Sequence, residues 1–167
     1  MNSTENKNVF KDAATVILIR PSKSGDGEIF LARRHQKQAF MAGAYVFPGG
    51  QLEETDNDPQ LEIYIKTEDV FDPCRLLQDS SLPREKALGF FIAAIRETFE
   101  EAGILLGGKT TGNSVSFHDE KVLKRFNDYR RKLNSSQITL AEITRKENIF
   151  LFPRHSYPLL PLDYAGI

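Results

Sequence analysis

Hydrophobic and polar positions fall into blocks of different period, and each period predicts an element. Ala14-Thr15-Val16-Ile17-Leu18-Ile19 is a short β-branched apolar run with the composition of a buried strand. Pro, Ser, Gly and Asp crowd residues 21–27, where Asp26-Gly27 is a hairpin signal. Glu28-Ile29-Phe30-Leu31-Ala32-Arg33 then reads as the returning strand, followed by a basic stretch from Arg33 to Gln38. Tyr45-Val46-Phe47 is a third short strand that runs into Pro48-Gly49-Gly50. From about 52 to 82 the chain is mixed and acidic, with breaks at Pro59, Pro73 and Pro83, and reads as an insertion rather than core.

The period then lengthens to that of a helix. Leu88, Phe91, Ile92, Ile95, Phe99 and Ala102 form one apolar stripe between Pro83, suited to a first turn, and Gly103, placed as a C-terminal cap. A second helix is expected from about His118 to Leu133, with Val122, Leu123, Phe126 and Tyr129 as its apolar side. A third opens at Thr139, where Thr139-x-x-Glu142 has the form of a capping box. The helical C-terminal segment as a whole covers about 116–150, and residues 1–167 are read as a single domain.

The central helix carries chemistry on the side opposite its stripe. At about 100° per residue, Glu100 falls near −60° and Glu101 near +40° from Glu97, whereas the stripe centres close to 170°. Like charges at these spacings repel by about 0.2–0.5 kcal/mol per pair, and a merely solvated face would interleave Lys or Arg. The one adjacent cation, Arg96, sits at the edge of the arc, where it can orient Glu97 without neutralising the cluster. Clustered carboxylates suit a hard divalent cation such as Mg²⁺ or Mn²⁺, which bridges them to substrate phosphates. A solvated acidic face is the plain alternative. Pro48-Gly49-Gly50 adds a place where backbone can approach an ion or phosphate closely.

Composition mainly excludes. The 22 Lys and Arg against 23 Asp and Glu give a net charge of −1, with no long-range pull toward nucleic acid or an anionic membrane. The longest apolar run, residues 13–19, is far too short to cross a bilayer, and the polar N-terminus lacks the core of a signal peptide. The single Cys74 cannot make an internal disulfide or a cysteine-based zinc site, so a cytoplasmic, reducing setting is expected. His35, His118 and His155 show no metal-ligand spacing, and Arg130-Arg131-Lys132 reads as the wet side of a helix. Arg33, Arg34, His35 and Lys37 suit the holding of phosphates, or equally a solvated strand end.

Taken together, Gly50 … Arg96-Glu97-Thr98-Phe99-Glu100-Glu101-Ala102-Gly103-Ile104 resembles the signature box of the Nudix hydrolases, G-x5-E-x7-R-E-U-x-E-E-x-G-U with U apolar. The resemblance implies an α/β fold, an α/β/α sandwich around a mixed sheet, and metal-dependent hydrolysis of a nucleoside diphosphate linked to another group. It implies Glu97, Glu100 and Glu101 as metal ligands, completed by the carbonyl of Gly50, with Arg96 holding Glu97; it leaves the general base unplaced, with Glu97 and Glu101 as the candidates present. Arg96 stands 46 positions after Gly50 where the unbroken box has 14, so 32 extra residues interrupt it. Asp56 occupies the place of the box's first Glu, and Thr98 a place usually apolar.

An interrupted box resembles the coenzyme A diphosphatase subgroup, Nudix motif 19-like, and its bacterial relatives. That subgroup's pattern, an Arg followed by G-x3-F-P-G-G and an Asp, is met by Arg34, Gly43, Phe47, Pro48, Gly49, Gly50 and Asp56. The implied substrate is coenzyme A or an acyl derivative, giving adenosine 3′,5′-bisphosphate and phosphopantetheine. The implied partner is thus a small-molecule nucleotide derivative, with no nucleic acid and no membrane, and pairing into a homodimer is left open. Nucleoside diphosphate sugars, dinucleotides or nucleotide triphosphates are the alternative substrates, and a non-catalytic remnant or binding module the alternative class. The resemblance also expects further strands and a final helix. No run of adequate length follows Leu106, so an incomplete C-terminal part is expected, through truncation, as a gene fragment, or with a partner supplying the rest.

Overall fold

Strand alternation organises the first part of the chain. The computed structural model describes residues 11–23, 25–34, 36, 41–67, 71–109 and 115–153. Six short strands come first: β1 (Ala13–Thr15), β2 (Ile19–Pro21), β3 (Gly27–Ile29), β4 (Ala32–Arg33), β5 (Tyr45–Val46) and β6 (Gly49–Gln51). They pair antiparallel as β1 with β6, β2 with β3, and β4 with β5, with Ala14 opposite Gly50 and Arg20 opposite Glu28. Bonds from Val16 N–H to Pro48 O and from Phe30 N–H to Leu18 O carry these ladders past their strand ends.

Two expectations are corrected here. The run 14–19 is not buried on both faces: Leu18 is buried and packs with Ala102 and Ile104, but Ile17 and Ile19 are 55% and 59% exposed. Successive strand residues face opposite sides, and no described element covers the side that also exposes Ile29 and Leu31. Gly49 and Gly50 do not merely end a strand; they form β6 with Gln51. Glycine has little strand propensity of its own, so the ladder with β1 decides the conformation there.

The central helix forms as its stripe predicts. Helix α2 spans Arg84–Ala102 after α1 (Pro73–Leu76); Pro83 is its N-cap and Gly103, at φ 70°, its left-handed C-cap. Leu88, Ile92, Ile95, Phe99 and Ala102 are all buried. The stretch 52–82 is corrected from an insertion outside the core. It holds two 3-10 helices, Glu54–Asn57 and Pro59–Tyr64, as well as α1, and places a fully buried Leu61 in the main hydrophobic cluster with α2. Prolines mark where helices break, not which way the side chains between them face.

Helices α3 (Glu120–Asn134) and α4 (Leu140–Glu147) complete that cluster. Phe126 stands edge-on to Phe99, Phe117 and Tyr129. Leu123, expected on the apolar side of α3, is 42% exposed, and Leu133 is buried instead. Both capping-box bonds of α4 are present: Glu142 N–H donates to Thr139 Oγ1 at 3.2 Å, and Thr139 N–H to Glu142 Oε2 at 2.9 Å. Beyond Leu106 the described strands are β7 (Gly107–Gly108) and β8 (Phe150–Leu151), which pair antiparallel. Leu151 also bridges Ile65 in parallel, so this patch of sheet is mixed. Among the described residues, no helix is long and apolar enough to cross a membrane.

Candidate functional site

Arg96 is the hub of the acidic face. It points off α2 with only 2% of its side chain exposed, and its fork is fully engaged. Nε and Nη2 donate to the two oxygens of Asp56 at 2.9 Å each, and Nη2 also donates to the carbonyl of Gln51 at 2.9 Å. Nη1 donates to Glu97 Oε1 at 2.9 Å and to Glu100 Oε2 at 3.3 Å, with Glu53 Oε1 at 3.8 Å. This planar, two-pronged grip on a carboxylate is what guanidinium geometry favours. Asp56 is itself 1% exposed and accepts from Glu53 N–H at 2.9 Å, which fixes it in the first turn of a 3-10 helix. Arg96 thus bonds Glu97, its neighbour in sequence, and Asp56, 40 positions away, which locks the guanidinium from the other side.

Four carboxylates therefore share one cation. Burial pushes the Glu100 carboxyl up to about 7, opposed by Arg96 and reinforced by Glu97. Burial pushes Glu97 up as well, with Arg96 opposing and Glu101 adding to it. Because the folded-state value of Glu100 lies above its ordinary 4.5, its contribution to stability is fully present below that pH. It is lost as pH rises through about 7, where the unfolded chain ionises freely and the folded one resists. The full swing is on the order of 3 kcal/mol, or about 5–10 °C for a chain of this size. The thermal midpoint of the metal-free protein is expected to fall between pH 5 and pH 8, and Glu100→Gln to flatten that slope. Parallel slopes in the two proteins would contradict this assignment, and the comparison cancels the histidines, which titrate in the same range.

The strand residues meet the helix at close quarters. A Cβ on Gly50 would collide with the Glu97 carboxylate as it stands, so any larger residue there would have to displace it. Gly49 N–H donates to Glu101 Oε2 at 3.3 Å, and Glu101 is exposed. Arg34 and Gly43 also come together: Arg34 N–H donates to Ala44 O at 2.9 Å and Gly43 N–H to Arg34 O at 3.2 Å. The Nε of Arg34 is buried without a hydrogen-bond partner among the described residues. The Arg33 guanidinium lies over the ring of Tyr45, 5.9 Å from its centroid, and Phe47 is 36% exposed. His35, Lys37 and His155 lie outside the described residues. Thr98 is fully buried and satisfies its hydroxyl on Ala94 O at 2.7 Å, which explains how a polar residue fits an apolar place.

The family model for the NUDT19 Nudix domain matches residues 10–151. The chain belongs to this Nudix family. Acyl-coenzyme A diphosphatase NUDT19 of Xenopus laevis is 29% identical over 173 residues, covering 87% of this chain and 45% of that protein. Its Gallus gallus counterpart is 29% identical over 196 residues, covering 94% of this chain and 51% of that protein. The chain thus spans about half the length of these curated relatives. The crystal structure of a NUDIX hydrolase from Alicyclobacillus acidocaldarius superposes with a TM-score of 0.60 at 20% identity, covering 86% of this chain and 57% of the other. The fold is accordingly the α/β Nudix fold.

Nudix hydrolases generally use divalent metal ions, and the donor set of this Nudix domain fits one. Glu97, Glu100, Glu101 and the Gly50 carbonyl offer oxygen alone, the ligand type that Mg²⁺ and Mn²⁺ take. Burial is the main cause that raises the Glu97 and Glu100 carboxyls, with Arg96 opposing it and neighbouring carboxylates adding to it. As they stand, Glu97 and Glu100 are turned to Arg96 and Glu101 to the Gly49 amide. No group of three His, Cys, Asp or Glu side chains among the described residues is gathered as a ligand cage.

One residue of the Nudix helix's surroundings is corrected outright. Arg130, read as solvated, donates from Nε to Glu100 O and from Nη2 to Glu101 O, both at 2.8 Å. It satisfies carbonyls at the end of α2, a helix with no basic residue in its own last turn. That absence is the signal in the sequence that could have pointed to it.

Proposed function

We propose that this Nudix domain hydrolyses the diphosphate bridge of coenzyme A or an acyl-coenzyme A, giving adenosine 3′,5′-bisphosphate and phosphopantetheine or its acyl form. The reading is supported by the clustered carboxylates of α2 lying against the glycines of β6, in a chain whose curated relatives are named acyl-coenzyme A diphosphatases. Glu97, Glu100, Glu101 and the Gly50 carbonyl would hold Mg²⁺ or Mn²⁺. When bound, the cation screens the phosphates from the carboxylates and polarises the phosphorus under attack.

The chain's own residues do the rest. Glu101 takes the proton of the attacking water, a role supported by its exposure and its contact with the Gly49 amide, with Glu97 as the alternative base. A new P–O bond forms from water as the bridging P–O bond breaks, and the departing phosphate carries away the electron pair. Arg96 keeps Glu97 in place through its lock on Asp56. Arg33 and Arg34 bind phosphate, while Gly43, Phe47 and Gly49 shape the entry to it.

The test is product analysis with coenzyme A. Adenosine 3′,5′-bisphosphate is expected with Mg²⁺ or Mn²⁺ present and none after chelation. Parallel reactions with nucleoside diphosphate sugars, dinucleotides and nucleotide triphosphates check the substrate: a higher kcat/KM on any of these overturns the assignment to coenzyme A.

A further inference from the structure

Beside the carboxylates lies a groove of opposite character. Its volume is about 650 Å³, and it runs between the end of α2 and the outer face of α3, lined by Glu100, Lys124, Asn127, Arg130, Arg131 and Asn134. Lys124, Asn127, Arg131 and Asn134 follow at three- and four-residue steps, so they share one side of α3. Arg130 and Asn134 are committed to structure. Arg130 binds the carbonyls of Glu100 and Glu101, and Asn134 Nδ2 donates to Arg130 O at 2.9 Å and to Glu100 O at 3.5 Å. These bonds fix α3 against the helix that carries the acidic face, and so set the distance from groove to carboxylates.

The remaining polar groups are available. Lys124 and Asn127 have no hydrogen-bond or ion-pair partner among the described residues. Arg131 pairs with Asp128 at 3.0 Å with 79% of its side chain exposed, an arrangement easily exchanged for a better anion. Lys124 and Arg131 are seven residues apart, about 10 Å along the helix axis. The acidic residue lining the groove is Glu100, which Arg96 partly neutralises, and Asp128 is the partner of Arg131 and Lys132.

We infer that this groove receives a phosphate monoester carried by the nucleoside at a position outside the hydrolysed diphosphate, bound by Lys124 and Arg131 with Asn127 between them. The inference rests on the reading of the acidic face as a diphosphatase site and adds its specificity element. A substrate with one anion at the bridge and a second on the ribose satisfies both surfaces at once. A nucleoside diphosphate sugar, which lacks the second, leaves the cations of α3 unmatched.

The experiment compares coenzyme A with 3′-dephospho-coenzyme A in the full chain with Mn²⁺. The wild type is expected to favour coenzyme A by about 10-fold or more in kcat/KM, mainly through KM, corresponding to one charge-assisted contact. Lys124→Ala and Arg131→Ala are each expected to bring that ratio towards 1, and Lys124→Arg to restore it. The ratio is insensitive to a general loss of folded protein. Equal kcat/KM for the two substrates in the wild type, or an unchanged ratio in both alanine variants, overturns the inference while leaving the diphosphatase reading standing. If neither compound is hydrolysed, that reading fails instead, and calorimetry then decides the groove. Adenosine 3′,5′-bisphosphate binding about 10-fold tighter than adenosine 5′-monophosphate, with the difference lost in Lys124→Ala, supports it; equal affinities overturn it.

Discussion

Exchange of Glu101 for Gln is expected to lower the turnover of coenzyme A by about 10²–10⁴-fold, the range typical for removal of a positioned acid or base. Glu97→Gln should fall in the same range, since it removes a charge from the same arc of α2. Neither change should cost much stability. Glu101 is exposed and accepts a bond of 3.3 Å from Gly49 N–H that a Gln oxygen can also accept, while burial already disfavours the charge on Glu97. The check is initial rates at saturating coenzyme A with Mn²⁺, alongside thermal melting of each variant. Rates within about threefold of the wild type for both variants would remove these carboxylates from the reaction.

The largest effect on stability is expected from Asp56→Ala. Removing it leaves the guanidinium of Arg96, 2% exposed, without the bidentate partner that holds Nε and Nη2. Breaking a buried pair in this way costs about 3–5 kcal/mol, because a charge stays behind in a poorly solvated place. Urea unfolding measures it directly through the midpoint. The double variant Asp56→Ala/Arg96→Met should lose less than the sum of the two single variants, as it leaves no orphaned charge at this position. Additive losses would show that Asp56 and Arg96 do not act as a unit.

Much of this was legible in the sequence, and what was not has identifiable causes. The extent of α2 follows from Pro83, Gly103 and a stripe at helical spacing, and helical periodicity alone puts Glu97, Glu100 and Glu101 opposite that stripe. The capping box at Thr139 reads directly from two residues. By contrast, β6 was hidden because glycine signals a turn, whereas here its lack of a side chain admits the Glu97 carboxylate. Apolar composition identified the run 14–19 as a strand but not that one of its sides goes uncovered by any described element. Arg130 looked like part of a basic tract, because the carbonyls it serves are 29 and 30 positions away. Asp56 registered as a departure from a pattern. Its partnership with Arg96, 40 positions on, becomes visible only when the chain folds back.

That clasp between Asp56 and Arg96 has a bearing on how such chains are detected. Forty positions separate its ends where the uninterrupted motif has eight, and widening the loop that far costs only about 1.4 kcal/mol of closure entropy. Sinking Leu61 beneath the neighbouring helix is worth about 1.5–3 kcal/mol, enough to offset the wider loop. Selection thus has little thermodynamic reason to hold the length of the intervening stretch constant. A genome scan that counts residues from Gly50 to Arg96 will pass over proteins built this way, and one that matches the two halves separately, tied by a buried acid and arginine, will find them.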